Sequence, residues 1–551
     1  MAERKIIIVI SGEIASGKTT LAQKLESRFG FKLLKTRDAL IHLASKKLAG
    51  ESPSRSFLQK FGANLDATDG GKWVLNYFQN DFGFSVSGHS CFVVDAVRIL
   101  NQINHFRDAF SYAVCHIHLT ASKKILKERF LGREEIKDLS EPSALKKYNE
   151  ATLDPTEQQV QTLAQQADIT IDTGLCTEED VFIRIASLLK LLPQTNNELV
   201  DVIVGGQFGS EGKGHVAAHI APEYDCLVRV GGPNAGHTVF EKPLKHVFHL
   251  LPSGSHRNQT AKLILGPGTI INVDTLLSEI SQYHIVDEQD KMNRRLVIDE
   301  NAIIISNEQI ELEQSVKKTI GSTGQGVGAA TANNILARLY ANDKHKAKNN
   351  KRLQEFIGST YEELEKMYQN NHRVLIEGTQ GTGLSLHHGI YPYVTSRDTT
   401  VSGCLSEVGV SPKRVRKIIM VTRTYPIRVG GNSGPFFSKE IDFETIANRS
   451  GKDLSLLKSS EKTTTTKVQR RIAEFSWTLF RKACELNSPT DIALTFTDYF
   501  SKGNENVRRY DQLTEQTRQF IEELEMCSGV KVSLVSTCFD YRAIIDRRNW
   551  K

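Results

Sequence analysis

The sequence predicts an α/β protein made of two P-loop-type domains, each with a mainly parallel central sheet flanked by helices, and three observations carry the prediction. A β-branched run passes into a glycine-rich loop and then a helical pattern at residues 6–29, and the same order recurs from residue 199. Between those starts, short apolar runs alternate with amphipathic stretches, as in βαβ units. Pro193-Gln194-Thr195-Asn196-Asn197 then supplies a helix stop and a polar linker. At 551 residues the chain is long enough for more than one core.

Taken in order, strands are expected at 6–10, 91–94, 114–119 and 169–171, with helices at 21–29 and 181–192. The first domain is therefore placed at 1–193, the linker at 194–198 and the second domain at 199–551, opening with a strand at 199–204. The two glycine-rich starts space their lysines differently, so they are not a sequence repeat.

Composition excludes several classes. With 39% hydrophobic and 24% charged residues the chain is not of the disordered type. A net charge of +6 from 70 basic and 64 acidic residues leaves no basic arm for nucleic acid, and small anions are the expected partners. Eight cysteines without a CxxC pair read as reduced thiols in the cytoplasm. No run approaches the ~20 apolar residues of a membrane helix.

Gly12-Glu13-Ile14-Ala15-Ser16-Gly17-Lys18-Thr19 fits GxxxxGK[ST] after a strand and before a helix. Such a loop, with Thr20 following, cradles phosphate on backbone N–H groups, with Lys18 as a point charge and Thr19 toward Mg²⁺. Phosphoryl transfer is mostly positioning and electrostatics, so it needs several guanidinium groups. Arg37, Asp95, Arg98, Arg107, Arg129 and Arg133 are the candidates for acceptor and lid, the last two sharing one face of a predicted helix. Each arginine taken singly reads equally well as a surface ion pair. Residues 1–193 resemble the nucleoside and deoxynucleoside monophosphate kinases, with the acceptor left open.

In the second domain Gly205-Gly206-Gln207-Phe208-Gly209-Ser210-Glu211-Gly212-Lys213-Gly214 follows a strand. After it come Gly231-Gly232-Pro233-Asn234-Ala235-Gly236-His237-Thr238, Leu251-Pro252-Ser253-Gly254 and Gly321-Ser322-Thr323-Gly324-Gln325-Gly326. Glu377-Gly378-Thr379-Gln380-Gly381-Thr382 and Tyr391-Pro392-Tyr393-Val394-Thr395-Ser396 complete the set. In this order the blocks resemble the adenylosuccinate synthetase family from Val200 to about Arg548. The resemblance implies a C–N ligase that passes a nucleotide γ-phosphate to O6 of a purine monophosphate, after which the amine of L-aspartate displaces phosphate at C6. It implies Mg²⁺, a nucleoside triphosphate donor and a homodimer.

Residue by residue, the resemblance implies that Lys213 meets the transferred phosphate, His237 donates to it and Gln380 faces the purine O6. Gly209, Glu211, Gly212, Gly214, Asn234 and Thr238 surround the nucleotides, and Ser210 and Gly236 border Mg²⁺. Ser322, Thr323 and Thr395 hold the 5′-phosphate, with Arg338 supplied from a second subunit. Arg428, Thr466, Arg470 and Arg471 take substrate, Arg470 foremost for a carboxylate.

The departures bear on substrate. Ser210 stands where the family carries an N1-directed aspartate in GDEGKG, a change shared with the phage-type 2-aminoadenylosuccinate synthetases that act on deoxyguanylate. A hydroxyl leaves room for a 2-amino group and accepts its hydrogen bond, so a guanine-type acceptor, dGMP, is preferred to IMP. Thr495-Phe496-Thr497-Asp498 replaces the family's Thr-Lys-Leu-Asp. Asp498 retains a carboxylate for a guanine edge, while the phenylalanine leaves both GTP and ATP open as donor. Two further readings stand beside this fused enzyme. In one the ligase fold is a nucleotide sensor on an active kinase; in the other it is an IMP-using synthetase with a noncatalytic appendage.

Overall fold

The computed structural model describes residues 5–45, 53, 55–82, 90–133, 136, 140–192, 197–286, 294–462 and 468–549. The chain forms two compact units, Met1–Pro193 and Gln194–Lys551. Residues 194–196 of the expected linker lie outside the described residues; Asn197 to Leu199 are irregular.

The first unit has a five-stranded parallel sheet in the order Lys32–Lys35, Cys91–Asp95, Ile6–Gly12, Val114–Thr120, Ile169–Asp172. The central strand Ile6–Gly12 is buried along its whole length because helices cover both faces of the sheet. Ile6, Ile8 and Ile10 pack with Leu21, Leu25 and Phe182 on one side, and Ile7 and Val9 with Trp73, Phe78 and Phe106 on the other. The closing helix runs Glu178–Leu188, a few residues earlier than expected. Thr177 and Asp180 form a reciprocal capping box there, which satisfies the first-turn N–H groups and fixes the start.

The second unit is built on ten strands, in the order Ile357–Gly358, Leu296–Asp299, Lys262–Leu265, Cys226–Arg229, Val374–Glu377, Val200–Gly205, Val415–Arg423, Asp491–Thr495, Val532–Ser536, Ile544–Asp546. All neighbours are parallel except the last pair. Three of the glycine-rich blocks, those at Gly205, Gly231 and Gly378, follow the C-terminal ends of the three central strands, where parallel α/β sheets place their ligands. A separate hairpin pairs His237–Glu241 with Leu244–Phe248. The eight cysteines are free thiols. Among the described residues no helix is long and apolar enough to cross a membrane.

Candidate active site

In the second unit the loop after Val200–Gly205 is closed by its own carboxylate. Glu211, fully buried, accepts from the backbone N–H of Gln207 (3.0 Å) and Gly209 (2.8 Å) and from Lys213 Nζ (2.7 Å). Gly212 takes the left-handed conformation at φ +86° immediately before helix Lys213–Ile220, aiming that helix's free N–H groups into the site. Gly209, at φ +100°, has no room for a side chain: a Cβ there would lie 2.9 Å from Gln380 Cα. The loop therefore rests directly on the Glu377–Thr382 block.

His237 begins the hairpin, and its Nδ1–H donates to Glu377 Oε1 at 2.5 Å. Glu377 also accepts from Ser253 Oγ (2.5 Å) and Ser253 N (2.7 Å), with Arg229 Nη1 at 3.4 Å. Burial alone would raise the Glu377 pKa, but Arg229, His237 and Ser253 bring it down to about 2. Burial lowers His237 to about 4, so at neutral pH the ring is neutral beside an ionised carboxylate. Glu377 thus holds the proton on Nδ1, leaving Nε2 as a buried acceptor without a partner.

Gln380, at φ +63°, donates from Nε2 to Thr395 Oγ1 (2.7 Å), so the expected purine and phosphate residues are brought together; its Oε1 is buried and unpartnered. Asn234 Oδ1 is likewise buried without a partner. With Ser210 in the loop and the carbonyl of Gly236, it supplies neutral oxygens of the kind Mg²⁺ accepts when phosphates provide the rest. Ser210 contributes its backbone carbonyl to Arg423 Nη1 at 3.2 Å. Gly214 and Thr238 stand at the helix and hairpin starts.

Ser322 and Thr323 lie in the turn before helix Val327–Leu336. The N-terminus of that helix is already satisfied by Glu313, which accepts from Gly326, Gly328 and Ala329. Arg338 is exposed among Ile335, Leu336, Leu339 and Tyr340, which are 54–80% exposed. Arg428 is buried over the Phe208 ring at 4.3 Å and donates to Tyr393 O and Pro435 O.

The arginines expected to bind a substrate carboxylate already hold acidic side chains of the chain itself. Arg470 Nη1 donates to Glu461 Oε2 at 3.1 Å, and Arg471 grips Glu440 at 2.7 and 2.6 Å. Both guanidinium groups are engaged by the chain's own carboxylates, because a fork beside an anion is satisfied locally before any ligand arrives. Thr466 lies outside the described residues. Asp498 is also paired, with Lys452 Nζ at 2.6 Å, although its Oδ1 is buried without a partner. Phe496 lies under the Arg423 guanidinium at 3.9 Å and beside Phe539 at 5.6 Å, giving this end of the site an aromatic wall.

In the first unit a cavity of about 1290 Å³ opens beside the phosphate loop. It is lined by Ser16, Gly17, Lys18, Thr19, Thr20, Arg37, Asp95, Arg98, Arg129 and Arg133. Gly12 is obligatory, since a Cβ would meet Leu119 O at 2.2 Å. Thr19 Oγ1 donates to Asp95 Oδ2 (2.8 Å), which puts a hydroxyl and a carboxylate together as Mg²⁺ ligands require. Lys18 folds back onto Gly12 O and Glu13 O, both at 2.7 Å, and burial, aided by Arg98, lowers its pKa to about 8.

Two expectations here are corrected. The helix carrying Arg129 is Lys123–Leu131 and stops before Arg133, so the two arginines do not share a helical face. Arg129 holds Thr173 and Arg133 lies over Phe130. Arg107 is outside the cavity lining, bound to both oxygens of Asp168 at 3.1 Å. Sequence reasoning missed Asp66, which accepts from Trp73 (2.7 Å) and Gln102 (2.9 Å) in the cavity wall. It also missed the roles of Glu377, Arg229, Ser253 and Glu461. Only the position of Glu377 at the end of a central parallel strand offered a signal.

The sequence model of the adenylosuccinate synthetase family matches residues 202–339 and 338–506, all within the second unit. The adenylosuccinate synthetase of Methanocaldococcus jannaschii is 37% identical over 354 residues, 63% of this chain and 96% of that one. That of Pyrococcus sp. is 36% identical over 354 residues, with 63% and 98% covered. The fully ligated adenylosuccinate synthetase from Plasmodium falciparum shares the fold, with a TM-score of 0.54 at 24% identity over 64% of this chain and 100% of that chain. A cyanophage S-2L succinoaminodeoxyadenylate synthetase, solved with dGMP and with dATP as an energy donor, gives a TM-score of 0.51 at 25% identity, covering 64% and 96%.

Proposed function

Since the chain belongs to the adenylosuccinate synthetase family, as a ligase joining aspartate to a purine nucleotide, we propose that its acceptor is dGMP and that residues 1–193 act as a nucleotide kinase on the same class of substrate. One observation carries the acceptor assignment: Ser210 occupies the position of the family's carboxylate in an otherwise complete phosphate loop. A hydroxyl accepts a hydrogen bond from a purine 2-amino group and avoids crowding it. The cyanophage protein solved with dGMP and dATP is consistent with this acceptor and with a donor other than GTP. Phe496, in place of a lysine stem, and the neighbouring Phe539 make the wall apolar, which suits ATP or dATP, while the unpartnered Oδ1 of Asp498 keeps GTP open as donor.

The chemistry runs in two steps. As the N1 proton of the acceptor passes to water, O6 attacks the γ-phosphorus, the bond to the β,γ-bridging oxygen breaks, and the nucleoside diphosphate leaves. The aspartate amine then attacks C6 and expels phosphate. Lys213 and the N-terminus of helix Lys213–Ile220 steady the phosphate charge, and His237 faces the transferred group through Nε2. Mg²⁺, when bound, neutralises the developing charge on the phosphates. Ser210, the Gly236 carbonyl and Asn234 Oδ1 are the oxygens that would hold it. Exposed Leu339 and Tyr340 beside Arg338 support a homodimer in which Arg338 crosses to its partner.

The test is phosphate release by the full chain with Mg²⁺, aspartate and ATP, dATP or GTP, offering dGMP and IMP separately and checking product mass. Turnover with dGMP and an aspartyl adduct supports the assignment; turnover with IMP alone sinks it. Ser210→Asp should lower kcat/KM for dGMP about 10- to 100-fold and raise that for IMP, an effect of one misplaced polar group.

For the first unit, the Thr19–Asp95 pair and the arginine-lined cavity support phosphoryl transfer. Phosphotransfer from ATP to a panel of nucleoside monophosphates should fall by at least about 100-fold in Lys18→Ala. Lys213→Ala should instead remove the aspartate-dependent reaction. If both variants lose both activities together, the kinase assignment fails.

A further inference from the structure

The hairpin that begins at His237 carries a second group of side chains that the ligase chemistry does not use. Glu241 ends its first strand and His246 lies on its second, with Glu241 opposite Leu244 and Val239 opposite His246. That register puts Glu241 and His246 diagonally on one face. His256 arrives from the turn that follows Ser253. Glu241 Oε2 is 3.0 Å from His256 Nε2 and 4.0 Å from His246 Nε2, and the three ligand atoms lie within 4.8 Å of one another. Atoms bonded at ~2.0–2.1 Å to one tetrahedral ion are ~3.3 Å apart, so small side-chain rotations bring the three onto a single centre.

The surroundings point the same way. All three side chains are mostly covered, at 17–26% exposure. His246 Nε2, the nitrogen 4.0 Å from Glu241, is buried and has no hydrogen-bond partner; His256 Nδ1, the other nitrogen of the ring whose Nε2 meets Glu241, is buried without one as well. Their ring centroids are 3.9 Å apart, a separation that two imidazolium ions would resist. Tyr541 Oη donates to Glu241 Oε1 at 3.0 Å, fixing the carboxylate from behind as an outer-shell partner does.

We propose that Glu241, His246 and His256 form a site for Zn²⁺, with water in the fourth position, separate from the Mg²⁺ that accompanies the nucleotide. Two imidazoles and one carboxylate suit a borderline ion and disfavour Mg²⁺ or Ca²⁺, which take oxygen. The ion ties both strands of the hairpin to the turn that carries Ser253. Since His237 starts that hairpin and Ser253 holds its partner Glu377, the three are positioning residues for His237.

The full chain, stripped with a chelator and dialysed, is titrated with Zn²⁺ against a chromophoric competitor, and with Co²⁺ followed by electronic absorption. One Zn²⁺ per chain, a tetrahedral Co²⁺ spectrum and a rise in Tm with Zn²⁺ are expected. His246→Gln and His256→Gln should each weaken binding at least about 10-fold and abolish the Tm rise. Zn²⁺ should raise kcat in the wild type and leave KM for aspartate in place. His387→Gln, in the adjacent pair His387 and His388 outside this cluster, should bind as the wild type does. Absence of the tetrahedral Co²⁺ band in the wild type overturns the site whatever the variants do. Equal Zn²⁺ affinity in the wild type and both glutamine variants overturns it as well.

Discussion

His237→Asn is expected to lower kcat for aspartate-dependent phosphate release by about 10²–10³-fold, with KM for the acceptor changed less than about threefold. Asparagine is chosen because its side-chain N–H still reaches Glu377, so the buried carboxylate keeps its partners and the fold is spared. What it lacks is the atom corresponding to Nε2, which in the wild type is buried and unpartnered. In the free protein that nitrogen is an acceptor, because Glu377 keeps the proton on Nδ1 and burial holds the ring neutral, at about 4. A phosphoryl group arriving at Nε2 changes the balance: its negative charge favours a second proton on the ring, and His237 becomes an imidazolium held between Glu377 and the transferred group. The donation exists only once charge has developed, so its loss falls on kcat. A variant that raised KM with kcat intact would show that His237 binds the acceptor and takes no part in the transfer.

The same residues show how much could be read in advance. Both phosphate loops and the strands feeding them were legible, because a β-branched run followed by spaced glycines has few other solutions. The buried strand Ile6–Gly12 and the strand Val200–Gly205 are each one or two residues longer at the loop end than expected. The extra residues are held by neighbouring strands, and local pattern does not report that pairing. Partners across the sheet were not legible. Glu377 and His237 are far apart in sequence, and nothing local says that an acid at a strand end will meet a histidine at a hairpin start. Arginines were the least legible: Arg470, Arg471, Arg107 and Arg129 each turn to a nearby acceptor of the chain itself. A guanidinium takes whatever planar acceptor the fold brings near it, and sequence spacing carries little information about which that is.

Acid should unfold the second unit in two stages set by its buried titrating groups. His215 and His237 are held at about 4, mainly by burial, against an ordinary value of 6.5. The unfolded chain therefore binds more protons between pH 6.5 and 4, and stability present above 6.5 is lost as pH falls through that window. Glu461 and Glu377 come next. Burial alone would raise Glu461, but Arg423, Arg470 and Tyr499 bring it to about 2, as Arg229 and His237 do for Glu377. A carboxylate depressed from 4.5 to about 2 contributes on the order of 3 kcal/mol above pH 4.5, and that contribution disappears as pH falls toward 2. Glu461→Gln removes the charge but keeps the shape, leaving Arg423, 1% exposed, without its counter-ion. A loss of about 3–5 kcal/mol is expected at pH 7, since a buried charge left alone costs more than the pair contributed. As pH falls from 4.5 toward 2 the gap between the variant and the wild type should narrow steadily, closing once the folded-state carboxyl is itself protonated near 2. Urea midpoints measured from pH 7 to 3 decide it: a constant gap between the two proteins down to pH 3 would mean that Glu461 stabilises by packing, and that Arg423 is not held by its charge.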